Sequence, residues 1–148
     1  MLQEFQHKHD MHKEGIDTLV LGQLLVRSIE AQPAVSGMAD YDVVAKLPFS
    51  QQPALLNVQQ VCSQANSELT VPSKACDFVV AVDLNGASVD DVSIQFYIIP
   101  IHSLYRNTLA HRGEKIEFES IPNISAYRSK WCLVNDFLLN VQPQSAVA

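Results

Sequence analysis

The chain has 148 residues, 47% hydrophobic and 18% charged, which suits one compact domain burying about two-thirds of its unfolded surface. Ten Lys and Arg against sixteen Asp and Glu give a net charge of −6 and a pI near 5.2, a field that repels nucleic acid unless cations cluster locally. No apolar run approaches the roughly 20 residues of a membrane span, and MLQEFQHKHDMHKEG is too polar for a signal peptide, so the sequence predicts a cytoplasmic protein without a membrane partner. Cys62, Cys76 and Cys132 are odd in number, widely spaced and set among apolar residues, the pattern of reduced, buried thiols.

In chain order, residues 1–12 read as a polar helical lead-in. They hold His7, His9, Asp10 and His12, ligand types that a loosely held terminus lacks the surrounding support to fix on a metal. Residues 13–141 read as a single domain and residues 142–148 as a tail. From Lys13 to Ala31, Ile16, Leu19, Val20, Gln23, Leu24 and Arg27 recur at steps of three and four, predicting a long, largely buried helix. Gly22 inside it suggests close packing on a sheet, and Gln32-Pro33 and Ser36-Gly37 end it. Tyr41–Ala45 and Ala54–Cys62 read as a strand hairpin across a loop with two prolines, and residues 63–76 as a polar loop with a helical turn open at 66–69.

Asp77 to Pro100 organises the rest. Phe78–Leu84 and Ile94–Ile99 are strand-length runs of Val, Ile, Phe and Tyr around an Asn85-Gly86 turn signal. Their near-continuous apolarity predicts strands covered on both faces. Ile101–Ala110 reads as a helix capped by the basic His111-Arg112-Gly113. Ile116–Ser120 reads as a short edge strand, and Ser125–Asn140 as a closing helix with Tyr127, Trp131, Val134, Leu138 and Val141 turned to the sheet. The class is α/β (α+β): one central mixed β-sheet flanked by helices.

That order, with HKEGIDTLVLGQLLVRS, ADYDVVA, ALLNVQQVC, DFVVAVDL, QFYIIP and AYRSKW in succession over residues 12–138, resembles the small restriction-endonuclease-like proteins of the PD-(D/E)XK superfamily. The resemblance implies a divalent-ion site with an acid at a strand start, an acid or amide on the next strand and a lysine two residues on. Asp42 then matches the metal-binding aspartate, and Asn57-Val58-Gln59 the three-residue motif, with Gln59-Gln60-Val61 as the alternative register. Glu14 or Asp17 matches the helical acid, although Glu14-Gly15 reverses the usual Gly-Glu order. Neither register holds a lysine, and an amide replaces the acid, which weakens any grip on a hard cation. Lys46 and Lys74 are the candidates to stand in.

Each candidate also has a purely structural reading. Asp42 can accept turn hydrogen bonds, Gln59 and Gln60 alternate across a strand, Asp77 and Asp83 read as cap and turn acids, and Tyr127 and Trp131 read as core. The expectation is therefore a degenerate nuclease-like domain acting as a binding or regulatory module, with a mobile-element, phage-defence or immunity setting implied by the resemblance alone. The alternative is a divalent-metal-dependent nuclease using Asp42, Gln59 and Glu14 or Asp17, with Mg2+ or Mn2+ as its only cofactor. A protein partner or self-association is expected ahead of nucleic acid. The acid-flanked edge at Ile116–Ser120 leans the reading towards a homodimer.

Overall fold

The computed structural model describes residues 2–35, 41–62, 67–73, 75–84 and 93–140, with side chains described from residue 12 onward. Helix α1 (Leu2–Leu25) leads into strands β1 (Glu30–Pro33), β2 (Val43–Lys46), β3 (Ala54–Val61), β4 (Glu68–Thr70), β5 (Phe78–Asp83) and β6 (Gln95–Pro100). Helix α2 (Ile101–Thr108), strand β7 (Lys115–Glu117), 3₁₀ turns at Phe118–Ser120 and Ile124–Tyr127, and helix α3 (Cys132–Asn140) complete the chain. Five strands form one mixed sheet in the order β1-β2-β3-β5-β6, in which only β3 and β5 run parallel. Strands β4 and β7 form a separate two-stranded sheet.

Strand alternation assigns the two faces of the core. Phe78, Val80 and Val82 of β5 pack with Ile16, Val20 and Leu24 of α1 and with Trp131, Val134 and Leu138 at α3. Val79 and Ala81 face the other way, against Ile101 and Leu104 of α2 and the small sheet's Leu69. Every residue of β5 is buried, as its unbroken apolarity predicts. The paired runs β2–β3 and β5–β6 are antiparallel as expected, whereas the Asn85-Gly86 turn signal lies outside the described residues.

Several expectations are corrected. The first helix begins at Leu2 and stops at Leu25, where Ser28 takes a left-handed conformation (φ 63°). The Ser28 N–H then bonds to Leu25 O and the Ile29 N–H to Leu24 O, each at 3.0 Å, closing a Schellman cap with Ile29 and Leu24 both buried. A serine in place of the usual glycine hid this stop, and with it the edge strand β1. Gly22 is exposed, and nothing lies within 4 Å of where its Cβ would be, so it marks no close packing. The end of α2 is set by Leu109 (φ 57°), while Gly113 (φ 86°) turns the chain into β7. The segment read as an edge strand at 116–120 pairs with β4 and becomes 3₁₀ at Phe118, so it is not an edge of the main sheet. The single closing helix is instead a 3₁₀ turn and α3, separated by Ser129 (φ 56°), whose N–H bonds to Phe96 O at 2.7 Å. Of the helical turn left open at 66–69, residues 68 and 69 belong to β4 instead, and residue 66 lies outside the described residues. Of the cysteines, Cys76 is buried, Cys62 half-buried and Cys132 exposed, all as free thiols.

Candidate functional site

Strand β2 pairs with β3 only as far as Leu56, after which the outer side of β3 has no backbone-paired strand among the described residues. Backbone groups on such an edge need other partners. Two side chains supply them at Val58, and a third braces one of the two. Asp42, just ahead of β2, is fixed by its own N–H bond to Leu56 O (2.8 Å), and its Oδ2 accepts the Val58 N–H at 2.7 Å. Lys13 of α1 reaches down and donates to Val58 O at 2.8 Å. The same ammonium lies 2.7 Å from Asp17 Oδ1 and 3.3 Å from Asp42 Oδ1. Lys13 and Asp17 stand one helical turn apart on α1, beside the core residues Ile16 and Val20, so the helix face that packs on the sheet also aims this pair at its edge.

The electrostatics are tightly matched. Burial pushes the Asp17 carboxyl above its ordinary range, opposed by the hydrogen bond and charge of Lys13, while the neighbouring Asp42 charge pushes the same way as burial. The ammonium therefore sits between two carboxylates that would otherwise repel each other. Beside the cluster opens a cavity of about 430 Å³ lined by His12, Lys13, Ile16, Val58, Gln59, Gln60 and Thr70. His12 Nε2 meets Gln60 Oε1 there at 2.5 Å.

The remaining sequence candidates divide clearly. Asp17 joins the cluster, whereas the Glu14 side chain is exposed and makes no ion pair among the described residues. Gln59 is committed elsewhere: its amide donates to Asn57 Oδ1 (2.7 Å) and Thr70 O (2.6 Å), and its Oε1 accepts the Thr70 N–H (2.9 Å). It thus mimics a strand backbone and fastens β4 to β3. Gln59→Ala is expected to cost about 1–2 kcal/mol for the lost bonds, read by urea denaturation, without changing any response to divalent ions. Lys46 pairs with Glu30 at 4.0 Å across β1–β2, and Lys74 lies outside the described residues, as do the side chains of His7, His9 and Asp10. Lys13 is the residue that sequence reasoning missed. Its signal was the Lys13–Asp17 spacing of four on the face that carries Ile16 and Val20.

Asp77 acts as the predicted cap. Its Oδ2 accepts the Leu55 N–H at 2.8 Å, its N–H bonds to Leu55 O, and its carbonyl accepts the Ile101 N–H at the start of α2. Burial raises its carboxyl pKa, with the Leu55 bond and His102 opposing. A carboxyl raised in the folded state binds protons more tightly than in the unfolded chain. This group therefore penalises stability above its folded pKa, and the penalty disappears as pH falls through that value towards 3.8. Asp77→Asn, which keeps an acceptor for Leu55, is expected to match or exceed the wild type in melting temperature at pH 7. Its advantage should shrink on acidification towards pH 4.

The geometry does not fit a divalent ion as it stands. Such an ion needs about six oxygens, several of them anionic. Here the inward oxygens of Asp17, Asp42 and Val58 already face an ammonium, and no group of three or more His, Cys, Asp or Glu suited to a metal occurs among the described residues. No helix among the described residues is long and apolar enough to cross a membrane. No family model and no curated protein sequence matches the chain. Among solved structures, the fold is similar to that of a bacterial homing endonuclease, I-Ssp6803I, with a TM-score of 0.60 at 15% identity over 94% of this chain and 98% of that one. The chain thus has a single-domain nuclease-like fold, with the acid–lysine cluster on the outer edge of β3.

Proposed function

We propose that this chain is a degenerate relative of the restriction-endonuclease-like proteins that acts by binding rather than by hydrolysis, its metal position taken over by Lys13. One observation carries the reading: a single ammonium contacts Asp17, Asp42 and the Val58 carbonyl at 2.7, 3.3 and 2.8 Å. Those are the oxygens that Mg2+ or Mn2+ would have to claim. The amide expected at the second motif position supports the same reading, since Gln59 holds β4 in place. The partner we favour is a protein or a second copy of this chain, because the net charge of −6 opposes a polyanion approaching the molecule as a whole. Similarity in fold to a homing endonuclease supports a setting among mobile elements or the systems that counter them.

A second reading is favoured by the convergence of two carboxylates, Asp17 and Asp42, on one point: a divalent-metal-dependent nuclease in which substrate or metal displaces Lys13. Calorimetric titration of Mg2+ and Mn2+ into the wild type and Asp42→Ala, paired with cleavage assays on DNA and RNA, separates the two. The expected result is no binding heat and no cleavage. Metal-dependent cleavage that vanishes in Asp42→Ala would establish the second reading instead.

A further inference from the structure

At the other end of α1 lies a second concavity of about 480 Å³, lined by Arg27, Ile29, Ser129, Lys130, Trp131, Cys132 and Asn135. From Lys13 to Leu25 the helix rises about 18 Å, so this site is remote from the acid–lysine cluster. Its charge opposes that of the molecule. Arg27 and Lys130 line it, Arg128 is two residues away, and no carboxylate is among the lining residues. None of the three cations has a carboxylate partner among the described residues.

The site is also held in shape. Arg27 Nη1 donates to Gln23 O (2.8 Å) and Gln23 Oε1 (2.9 Å), and the guanidinium carbon stands 5.3 Å from the centre of the Trp131 ring. The guanidinium is held by two bonds and a ring, and its remaining N–H groups have no partner among the described residues. Opposite it, the 128–130 segment is tied to β6 by the bridge of Arg128 to Tyr97 and the Ser129 N–H bond to Phe96 O. The side chains of Ser129 and Asn135 add neutral donors, and the first turn of α3 carries no acid.

We propose that this concavity binds a phosphoryl group, with Arg27 as the planar donor and Lys130 as the point charge. A guanidinium with free donors matches two oxygens of a tetrahedral anion, and a nearby ammonium matches a third. The inference is independent of whether the Lys13 cluster cleaves anything. The group is carried either by a small phosphate compound or by a nucleic-acid strand.

The molecule contains its own probe, because Trp131 is the only tryptophan and lies under Arg27. Tryptophan emission is followed while inorganic phosphate, a 5′-mononucleotide or a ten-nucleotide single strand is added to the wild type, Lys130→Glu and Arg27→Gln. Saturable changes are expected, with at least a tenfold loss of affinity in both variants at unchanged melting temperature for Lys130→Glu. Saturation by phosphate or mononucleotide assigns a small-molecule source, and saturation by the strand alone assigns a phosphodiester. No saturable response to any of the three ligands, or a response that Lys130→Glu leaves intact, overturns the proposal.

Discussion

Lys13→Met is expected to turn a protein that gives no heat with Mn2+ into one that binds it with a dissociation constant of about 0.1–1 mM, the range of oxygen sites with few anionic ligands. The ammonium now holds the two inward carboxylate oxygens at 2.7 and 3.3 Å, and the Val58 carbonyl at 2.8 Å. Removing it leaves two carboxylates facing one point, a like-charge pair that only a cation or a proton can relieve. Without metal the variant should lose about 1–3 kcal/mol, since the buried Val58 loses the donor to its carbonyl and Asp17, 22% exposed, its counter-charge, an effect moderated by the 42% exposure of Lys13 itself. Metal at ten times its dissociation constant should return about 1.4 kcal/mol by mass action. Thermal melts with and without 5 mM Mn2+ check both halves. Asp17 is already pushed above its ordinary range by burial, and losing Lys13 pushes it further, so the recovery should weaken as pH falls and the carboxyl protonates. A variant that melts like the wild type and ignores Mn2+ would show that the cluster is an edge cap and not a former metal site.

The sheet was legible because burial on two faces leaves a plain mark in sequence. Phe78–Val82 and Phe96–Ile99 are apolar or aromatic throughout and buried, a run that a half-exposed strand would break with polar residues. The corrected helix boundaries share another cause, since α1, α2 and the break before α3 each turn on a residue in the left-handed conformation without a glycine to announce it. Ser28, Leu109, Asn123 and Ser129 all have φ between 56° and 63°. At Ser28 and Ser129 the surrounding hydrogen bonds outweigh the backbone cost, a tertiary effect that helical spacing of apolar residues does not carry. The candidate site was half legible for a similar reason. Asp42 stood out at a strand start, and Asp17 as one of two helical acids. Lys13 did not, because its role depends on β2 ending its pairing at Leu56 and leaving Val58 O open to a side chain 45 residues earlier.

Trp131→Ala is expected to cost about 3–5 kcal/mol and lower Tm by about 10 °C, the largest effect of any single truncation considered. Trp131 is 3% exposed, packs its ring 5.5 Å from that of Phe96, and belongs to the core formed by α1, α3 and the sheet. Truncation opens a void that β6 and α3 cannot close, because the preceding segment is pinned to β6 at Tyr97 and Phe96. Arg27→Gln, by contrast, removes only the cation over the ring and two exposed bonds to Gln23, and should cost less than about 1 kcal/mol. The contrast decides what the ring is for. A core tryptophan makes the Ala variant unstable whether or not ligand is present, while a stacking platform would leave Tm near the wild-type value and abolish binding alone. Equal melting of the two variants would move Trp131 out of the core and make the Arg27 concavity a base-stacking site, a role its 3% exposure argues against.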